Sequence, residues 1–499
     1  MPHRLAQLGR LLTLVAAVLV VIGWGDRALK ADMAAPASFT IVHLNDVYEI
    51  DAVEGGQQGG LARVATIIDR LKQRGPVLTT LGGDYLSPSA IGTAIVDGQP
   101  LAGRQMVDVL NLIGVEWATL GNHEFDVGEA AFHARLAEAK FRTVVSNVTD
   151  GSGRPFAETV ASAVVPIRAN GRILRIGLIG LCVDENIRPW VRYQAPIESA
   201  KAQVAALRGR TDAIVALTHL SLIGDKQLVE AVPEIDLVLG GHEHENWLAQ
   251  RGRSFTPIIK ADANARSVAV VTVTFDAPGA RPVVSSRLQL VDERIPRKAP
   301  VEAVVRRWVS SAFDAFRASG FAPERTVVTA PRPLDGREST IRNGPGELTD
   351  IVLGGIVREA APVDVGILNA GSIRIDDVLP AGVVTEYDVV RILPFGGAVV
   401  KVTLDGSLLA QVLDAGVANR GIGGFLHVSG VTSTSTGWLV GGRPLDPAAR
   451  YSVAMPDFLL IGAETRLAAL NRSNVAVHDV QTLRDVRRGF IDELKARFP

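Results

Sequence analysis

Five short apolar runs in the first half of the chain, FTIVHLND, PVLTTLGGD, EWATLGNHE, DAIVALTHL and DLVLGGHEH, each close on an acid, an amide or a histidine. Runs of this length bounded by turn residues predict buried strands. Asp46, Asp84, Asn122 with His123, His219, and His242 with His244 are therefore expected where strands give way to loops. Between the runs, Leu61, Val64, Ala65, Ile68 and Leu71 recur at helical spacing before the strand candidate Val77 to Leu81, a β-α-β pattern that predicts a layered α/β sandwich. The β-branched run Ser267 to Phe275, followed by Pro278 and Gly279, and the run Ser286 to Val291 predict its last two strands.

Beyond them a basic, proline-flanked segment, Asp292 to Pro300, leads into a helix whose apolar face carries Val301, Val304, Val305, Trp308, Ala312, Phe313 and Phe316. This reads as a connector over residues 293–325, and residues 326–499 read as a separate unit with strands, turns and helices of its own. A chain of 499 residues, nearly half of them apolar, is too long for one ordinary core. At the start, Arg4 and Arg10 precede the apolar stretch Leu11 to Trp24, then a polar segment and the small-residue cluster Ala34-Ala35-Pro36-Ala37. That layout predicts an export signal over residues 1–37, too short in its apolar part to span a bilayer, hence a periplasmic or secreted protein with no stable membrane insertion after cleavage. A formal charge of −1 gives no reason to expect a nucleic-acid polymer as partner. Cys182, the single cysteine, rules out an intramolecular disulfide and reads as a small buried side chain.

In an open α/β sheet ligands bind beyond the carboxyl ends of the strands. Oxygen and imidazole donors gathered there suit divalent metals rather than a thiolate site. Taken singly, a lone acid after a strand is usually a turn or cap residue, but ND at 45–46, GGD at 82–84, GNHE at 121–124, TH at 218–219 and GHEH at 241–244 form one ordered series. That series resembles the calcineurin-like metallophosphoesterases, and GGD…GNHEFD…GHEH resembles their 5′-nucleotidase branch. The resemblance implies an α/β/β/α sandwich over residues 38–292 holding two divalent ions drawn from Mn, Zn, Co or Fe. It implies Asp46 and His244 on one ion, Asn122, His219 and His242 on the other, and Asp84 bridging them. His123, next to Asn122, is placed as a general acid or as a donor to developing charge, with Asp126 holding its imidazole. His43 reads as structural. The family usually has Asp-x-His at its first motif, whereas this chain has Asp46-Val47-Tyr48. Three roles are open to Tyr48: phenolate ligand, a residue leaving the first ion short of one protein ligand, or packing alone.

In the second half, NAGSIR at 369–374, LPFGG at 393–397, GGF at 423–425 and PDFLLIG at 456–462 resemble the 5′-nucleotidase C-terminal domain. Phe395, Phe425 and Phe458 would ordinarily be core residues. The resemblance implies a smaller α/β nucleotide-recognition domain in which Arg342, Asn369 and Arg374 contact ribose, base or phosphate, and Phe425 and Phe458 clamp the base. Two loops depart from the family, with Pro345 and Glu347 where an acid and an Asn are usual, and Ile461-Gly462-Ala463-Glu464 where Asn-Gly-Gly-Asp is usual. The expected activity is metal-dependent release of phosphate from nucleoside monophosphates or related small nucleotides. Rival expectations are a 2′,3′-cyclic-nucleotide phosphodiesterase, a nucleotide-sugar hydrolase, a thiosulfate-releasing relative and a non-catalytic nucleotide-binding protein. A chain cut near Asp292 is expected to fold and bind metal but to lose discrimination among nucleotides.

Overall fold

A computed structural model describes residues 35–499. The export segment thus lies outside the described residues except for its last three positions. Ala37 is the first residue of a strand, Ala37–Leu44, and is fully buried opposite Phe275.

Two sheets stack face to face. The first has seven strands in the order Thr159–Val160, Arg142–Val144, Trp117–Ala118, Val77–Leu81, Ala37–Leu44, Ser267–Phe275 and Val283–Leu290. The first five run parallel and the last two are antiparallel additions. The second has six strands, Ser162–Ala169, Arg172–Cys182, Ala213–His219, Leu237–Gly240, Thr256–Lys260 and Trp247–Arg251, parallel except at its two edges. Phe39, Ile41, Val271 and Val273 of one sheet pack between the sheets with Ile176, Leu178, Val215, Leu217 and Leu239 of the other. Burial on both faces is why these strands read as continuous apolar runs rather than alternating ones.

Helices Leu61–Lys72 and Arg104–Ile113 cover the outer face of the first sheet, while Pro196–Leu207 and Leu222–Ala231 cover the second. The result is the four-layer α/β/β/α sandwich. The last strand begins at Val283, three residues before its sequence-predicted start, because its half-exposed residues give little apolar signal.

The connector is a helix, Ala299–Ala318, entered through Pro300. It is not a free-standing link. It packs on Leu61–Lys72 and Arg104–Ile113, Trp308 donates its indole N–H to Asp108 at 2.9 Å, and Phe313 meets Tyr387 at a tilt, with ring centroids 4.7 Å apart. Val301, Val305, Ala312 and Phe316 join one buried cluster that continues into Leu348, Ile351, Val390 and Phe490 of the C-terminal half.

That half is built on a five-stranded sheet in the order Leu426–Ser429, Val365–Asn369, Arg450–Pro456, Ala398–Asp405 and Val477–Asp485. Helices Glu347–Ala360 and Val486–Arg497 pack against one another across Gly355 and Gly489, where any side chain would strike the opposing backbone. The sheet's other apolar cluster takes in Leu408, Leu409, Val412 and Leu413 of helix Gly406–Ala418. Among the described residues no helix is long and apolar enough to cross a membrane.

Candidate metal centre and substrate cleft

Sheet register brings the sequence-predicted donors together. Leu44 lies opposite Leu81 and Leu81 opposite Ala118, so the loops carrying Asp46, Asp84 and Asn122 leave one edge side by side. In the second sheet Cys182 pairs with His219, and Thr218 with Gly240, which brings His219 beside the GHEH loop. Asp46, Asp84 and His219 each offer a ligand atom within 4.8 Å of the others, and all three are buried. His219 Nε2 is 3.2 Å from Asp84 Oδ2, and its Nδ1 donates to the Gly82 carbonyl at 2.7 Å, which turns the Nε2 lone pair toward the carboxylates. His242 packs edge-on to His219 with ring centroids 5.3 Å apart. The buried Asn122 Oδ1 has no hydrogen-bond partner among the described residues, as suits an atom that faces a cation. The donor set of carboxylates, an amide oxygen and imidazoles fits divalent ions.

The loops are held in conformations that side chains rarely adopt. Asp46, Asp84, His242 and His244 all have positive φ, between 53° and 82°. A side chain at Gly121 would collide with the Asp84 carboxylate, so glycine is required there. Three groups that sequence reading left without a role enforce this geometry. Glu124 accepts from the backbone N–H groups of Asp84 (2.8 Å), Tyr85 (2.7 Å), Leu86 (3.1 Å) and Gly121 (2.5 Å). Asn45 donates to Asp46 Oδ2 at 2.7 Å and bonds both ways with the Ala261 backbone. Lys260, buried and paired with Asp225 at 3.0 Å, donates to the carbonyls of Leu220 and Gly241 and pins the GHEH loop. Glu124 stood inside the GNHE motif and could have been found there; nothing local announces Lys260.

Charge follows this packing. Burial opposes ionisation of Asp84, but His219 and His123 outweigh it and hold its carboxyl well below the usual range. Burial also works against protonation of His219 and His244. Asp84 and Asp46 nonetheless lift His219 to about 10, and Asp376 and Glu338 lift His244 to about 9. His242 goes the other way, pushed well below its ordinary value by burial and by the His219 charge. For Glu124, burial and the Asp84 charge raise the carboxyl to about 7 against the pull of its N–H donors.

His123 stands outside the buried donor set. Its backbone N–H donates to Asp84 Oδ1 at 2.8 Å, its Nδ1 meets Asp126 Oδ2 at 2.6 Å, and Arg374 Nη2 reaches its Nε2 at 2.9 Å. Asp126 also takes hydrogen bonds from Asn186 (2.7 Å) and Arg188 (3.2 Å). Tyr48 points its hydroxyl into the donor cluster, 2.8 Å from His244 Nε2, 3.2 Å from Asp84 Oδ2 and 3.5 Å from Asp46 Oδ1. Burial, Asp84 and Asp46 push this phenol well above its ordinary value. His43 bonds Thr80 (2.9 Å) and the Gly240 carbonyl (3.1 Å), a structural tie between the sheets.

The C-terminal residues reach the same edge. Glu338 pairs with Arg342 and lies 3.6 Å from Arg374 Nη1, so one carboxylate faces both guanidinium groups, of which Arg374 touches His123. Asn369, buried, donates to Glu464 Oε2 at 2.9 Å and accepts from Ser372 at 2.6 Å; Glu464 belongs to the loop that departs from the family pattern. The NAGS turn bonds to the GGF loop through Ala370 N to Phe425 O (2.8 Å) and Gly371 N to Gly423 O (2.7 Å). Phe425 is 8% exposed with its ring edge-on to His427. Phe458 follows the carboxyl end of the strand parallel to Val365–Asn369 and is 43% exposed, as Phe395 is 56% exposed, so neither is a core residue.

Comparison with known proteins accords with this geometry. The family model for calcineurin-like phosphoesterase matches residues 39–246, and that for the 5′-nucleotidase C-terminal domain matches residues 326–471. The chain is 25% identical to the snake venom 5′-nucleotidase of Naja atra, with 85% of this chain and 90% of that protein covered. It is 25% identical to the 5′-nucleotidase of Mus musculus, covering 80% and 75%. The crystal structure of the 5′-nucleotidase precursor from Thermus thermophilus superposes with a TM-score of 0.76 at 23% identity, covering 92% of this chain and 96% of that one. The chain belongs to the 5′-nucleotidase family, a calcineurin-like phosphoesterase domain followed by a 5′-nucleotidase C-terminal domain.

Proposed function

We propose that this protein is an exported hydrolase that uses two divalent ions to release phosphate from nucleoside monophosphates or related nucleotides. The family makes it a metal-dependent phosphoester hydrolase. The observation that carries the finer reading is Arg374, a C-terminal residue, lying 2.9 Å from His123 at the rim of the donor cluster. A phosphate seated there meets metal donors on one side and guanidinium groups on the other.

Asp46 and His244 would hold one ion, Asn122, His219 and His242 the other, with Asp84 shared. Ions bound there would supply Lewis acidity toward phosphoryl oxygens and lower the pKa of a water, making hydroxide available as the nucleophile. The remaining work belongs to side chains. Arg374 and Arg342 present planar donors that suit phosphate oxygens. Where a phosphate draws Arg374 away from Nε2, a His123 held through Nδ1 by Asp126 and protonated at Nε2 can give that proton to the leaving oxygen or donate to the transferring group. Asn369, Phe425 and Phe458 serve the nucleoside end, since stacking accepts any base. The working units are residues 38–292, 293–325 and 326–499. Export rests on the basic, apolar and small-residue order of residues 1–37.

The test is phosphate release from a panel of nucleoside monophosphates, cyclic nucleotides and nucleotide sugars by metal-stripped protein resupplied with Mn, Zn, Co or Fe. Preference for monophosphates supports the reading. Faster turnover of cyclic nucleotides or nucleotide sugars replaces the substrate, and no release with any metal sinks it.

A further inference from the structure

His244 and Asp376 are separated by 132 positions, one in the GHEH loop and the other just beyond the NAGSIR turn, yet His244 Nδ1 lies 2.7 Å from Asp376 Oδ2. The other ring nitrogen, Nε2, faces the Tyr48 hydroxyl at 2.8 Å and Asp46 Oδ1 at 3.4 Å. The imidazole is therefore wedged between the donor cluster of the sandwich and a carboxylate delivered by the C-terminal half. Asp376 is built for this contact. It is buried, it holds a φ of 36° that side chains rarely adopt, and its Oδ1 accepts from the Glu338 N–H at 2.8 Å. A second carboxylate, Glu338, stands 3.7 Å from the same Nδ1. Two buried acids brought to one imidazole need its N–H; with the halves apart, neither has that partner.

We infer that Asp376 is a positioning residue that makes retention of the first metal ion depend on docking of the C-terminal half against the sandwich. This rests on the metal-site reading above. By fixing Nδ1 as the donor, Asp376 leaves the Nε2 lone pair aimed at Asp46 and makes it a better ligand. Linkage makes the effect reciprocal: an ion on Nε2 strengthens the Nδ1–H bond to Asp376 and holds the two halves together. The C-terminal half then acts on the metal centre as well as on the nucleotide.

The experiment titrates metal-stripped full-length protein with Mn²⁺ alone, reading stoichiometry and affinity by calorimetry, and follows amide exchange at residues 336–342 and 374–379 with and without Mn²⁺. Asp376→Ala is expected to weaken one of two ions about 10–100-fold, the range for a lost partner of a ligating His, and to spare the other. Asp376→Asn, which keeps an acceptor without the charge and preserves packing, should fall between. Mn²⁺ should slow exchange in both segments of the wild type and fail to do so in Asp376→Ala. Wild-type affinity for both ions in Asp376→Asn and Asp376→Ala, or exchange indifferent to Mn²⁺ in the wild type, overturns the inference. His244→Ala separates the two levels. If it binds both ions normally, the ligand assignment has failed and this inference with it; if it loses one ion while the Asp376 variants lose none, only the present inference fails.

Discussion

Arg374 reaches His123 across 251 positions, its Nη2 2.9 Å from Nε2, while Asp126 holds the other ring nitrogen at 2.6 Å. The imidazole is thus fixed from both sides, and the guanidinium lies where a phosphate oxygen would compete for it. Arg374→Ala should lower kcat/KM by roughly 10–100-fold, the size of a charge-assisted hydrogen bond lost from a buried site. Arg374→Lys should recover little, because an ammonium cannot serve a phosphate and Glu338 in the same planar fashion. Steady-state kinetics on AMP check both, and equal kcat/KM in the wild type and Arg374→Ala would remove Arg374 from the site.

Asp84 and His123 are adjacent in space but should fail differently. Asp84→Asn removes the shared negative charge, so metal content and turnover should fall together. His123→Ala should retain its metals and lose rate by roughly 10²–10⁴, the usual contribution of a general acid. Metal analysis beside phosphate release distinguishes them; a His123→Ala protein stripped of metal would place His123 among the ligands instead.

Glu124 touches no donor atom of the proposed ions, yet its two oxygens accept from four backbone N–H groups around Asp84. In Glu124→Gln one oxygen becomes an NH₂ facing two of those N–H donors. Each buried donor left unpaired costs roughly 1–3 kcal/mol, so the thermal midpoint of the metal-free protein should drop by several degrees. An unchanged midpoint would show that these loops hold their positive-φ geometry without Glu124.

The proposed ligands also set a dependence on pH. Folded His219 and His244 titrate near 10 and near 9, above the ordinary value of 6.5, so protonation stabilises the metal-free fold. That contribution is complete below about pH 6.5 and disappears as pH rises through 9 to 10. The midpoint of the EDTA-treated protein should therefore fall between pH 7 and 10, while Mn²⁺ affinity should rise over the same interval as protons stop competing. Calorimetry in buffers of different ionisation enthalpy should register proton release on Mn²⁺ binding at pH 7. Binding without proton release would mean these histidines are already neutral.

Much of this site could be read from apolar runs that stop at a charged or imidazole residue, because the parallel strands share a common edge and their carboxyl ends must converge. What the chain order does not encode is pairing at long range. Nothing near Asp376 points to His244, and nothing near Lys260 points to the GHEH loop it pins. The helix Ala299–Ala318 was legible as a helix, but its role was not, since apolar spacing reports a buried face without saying what buries it. The phenylalanines were harder still: Phe395 and Phe458 are exposed while Phe425 is buried, a difference that apolar spacing does not announce.

The packing of that helix alters what truncation should do. A chain ending at Asp292 loses Val301, Val305, Ala312 and Phe316 from a cluster that includes Leu61, Val64 and Ile68, and loses Asp376 from His244. Apolar area on two helices of the sandwich becomes exposed, so the fragment should aggregate or unfold at lower temperature than the full chain, contrary to the sequence expectation that it folds unaided. A cut after Ser319, which retains the helix, should be the more stable of the two. Equal thermal midpoints for both fragments would make the helix dispensable to the sandwich.

Tyr48 is where this chain breaks its family's pattern, and its hydroxyl lies 2.8 Å from His244 Nε2, the atom proposed to hold the first ion. A neutral phenol, with an ordinary pKa of about 10 raised further here by burial and two carboxylates, is a poor ligand for a divalent ion. Its contact with Nε2 therefore competes with the metal more than it assists. Tyr48→Phe, which keeps the ring and frees that lone pair, should bind Mn²⁺ at least as well as the wild type. Tyr48→His, which supplies the imidazole usual in the family, should tighten the first ion by roughly tenfold, about 1.4 kcal/mol. Loss of the first ion in Tyr48→Phe would reverse the assignment and make the phenol a ligand. In that case an Fe(III)-loaded wild type should show a visible charge-transfer band that the mutant lacks, and a colourless sample would leave the hydroxyl as a hydrogen-bonding neighbour of Asp84 alone.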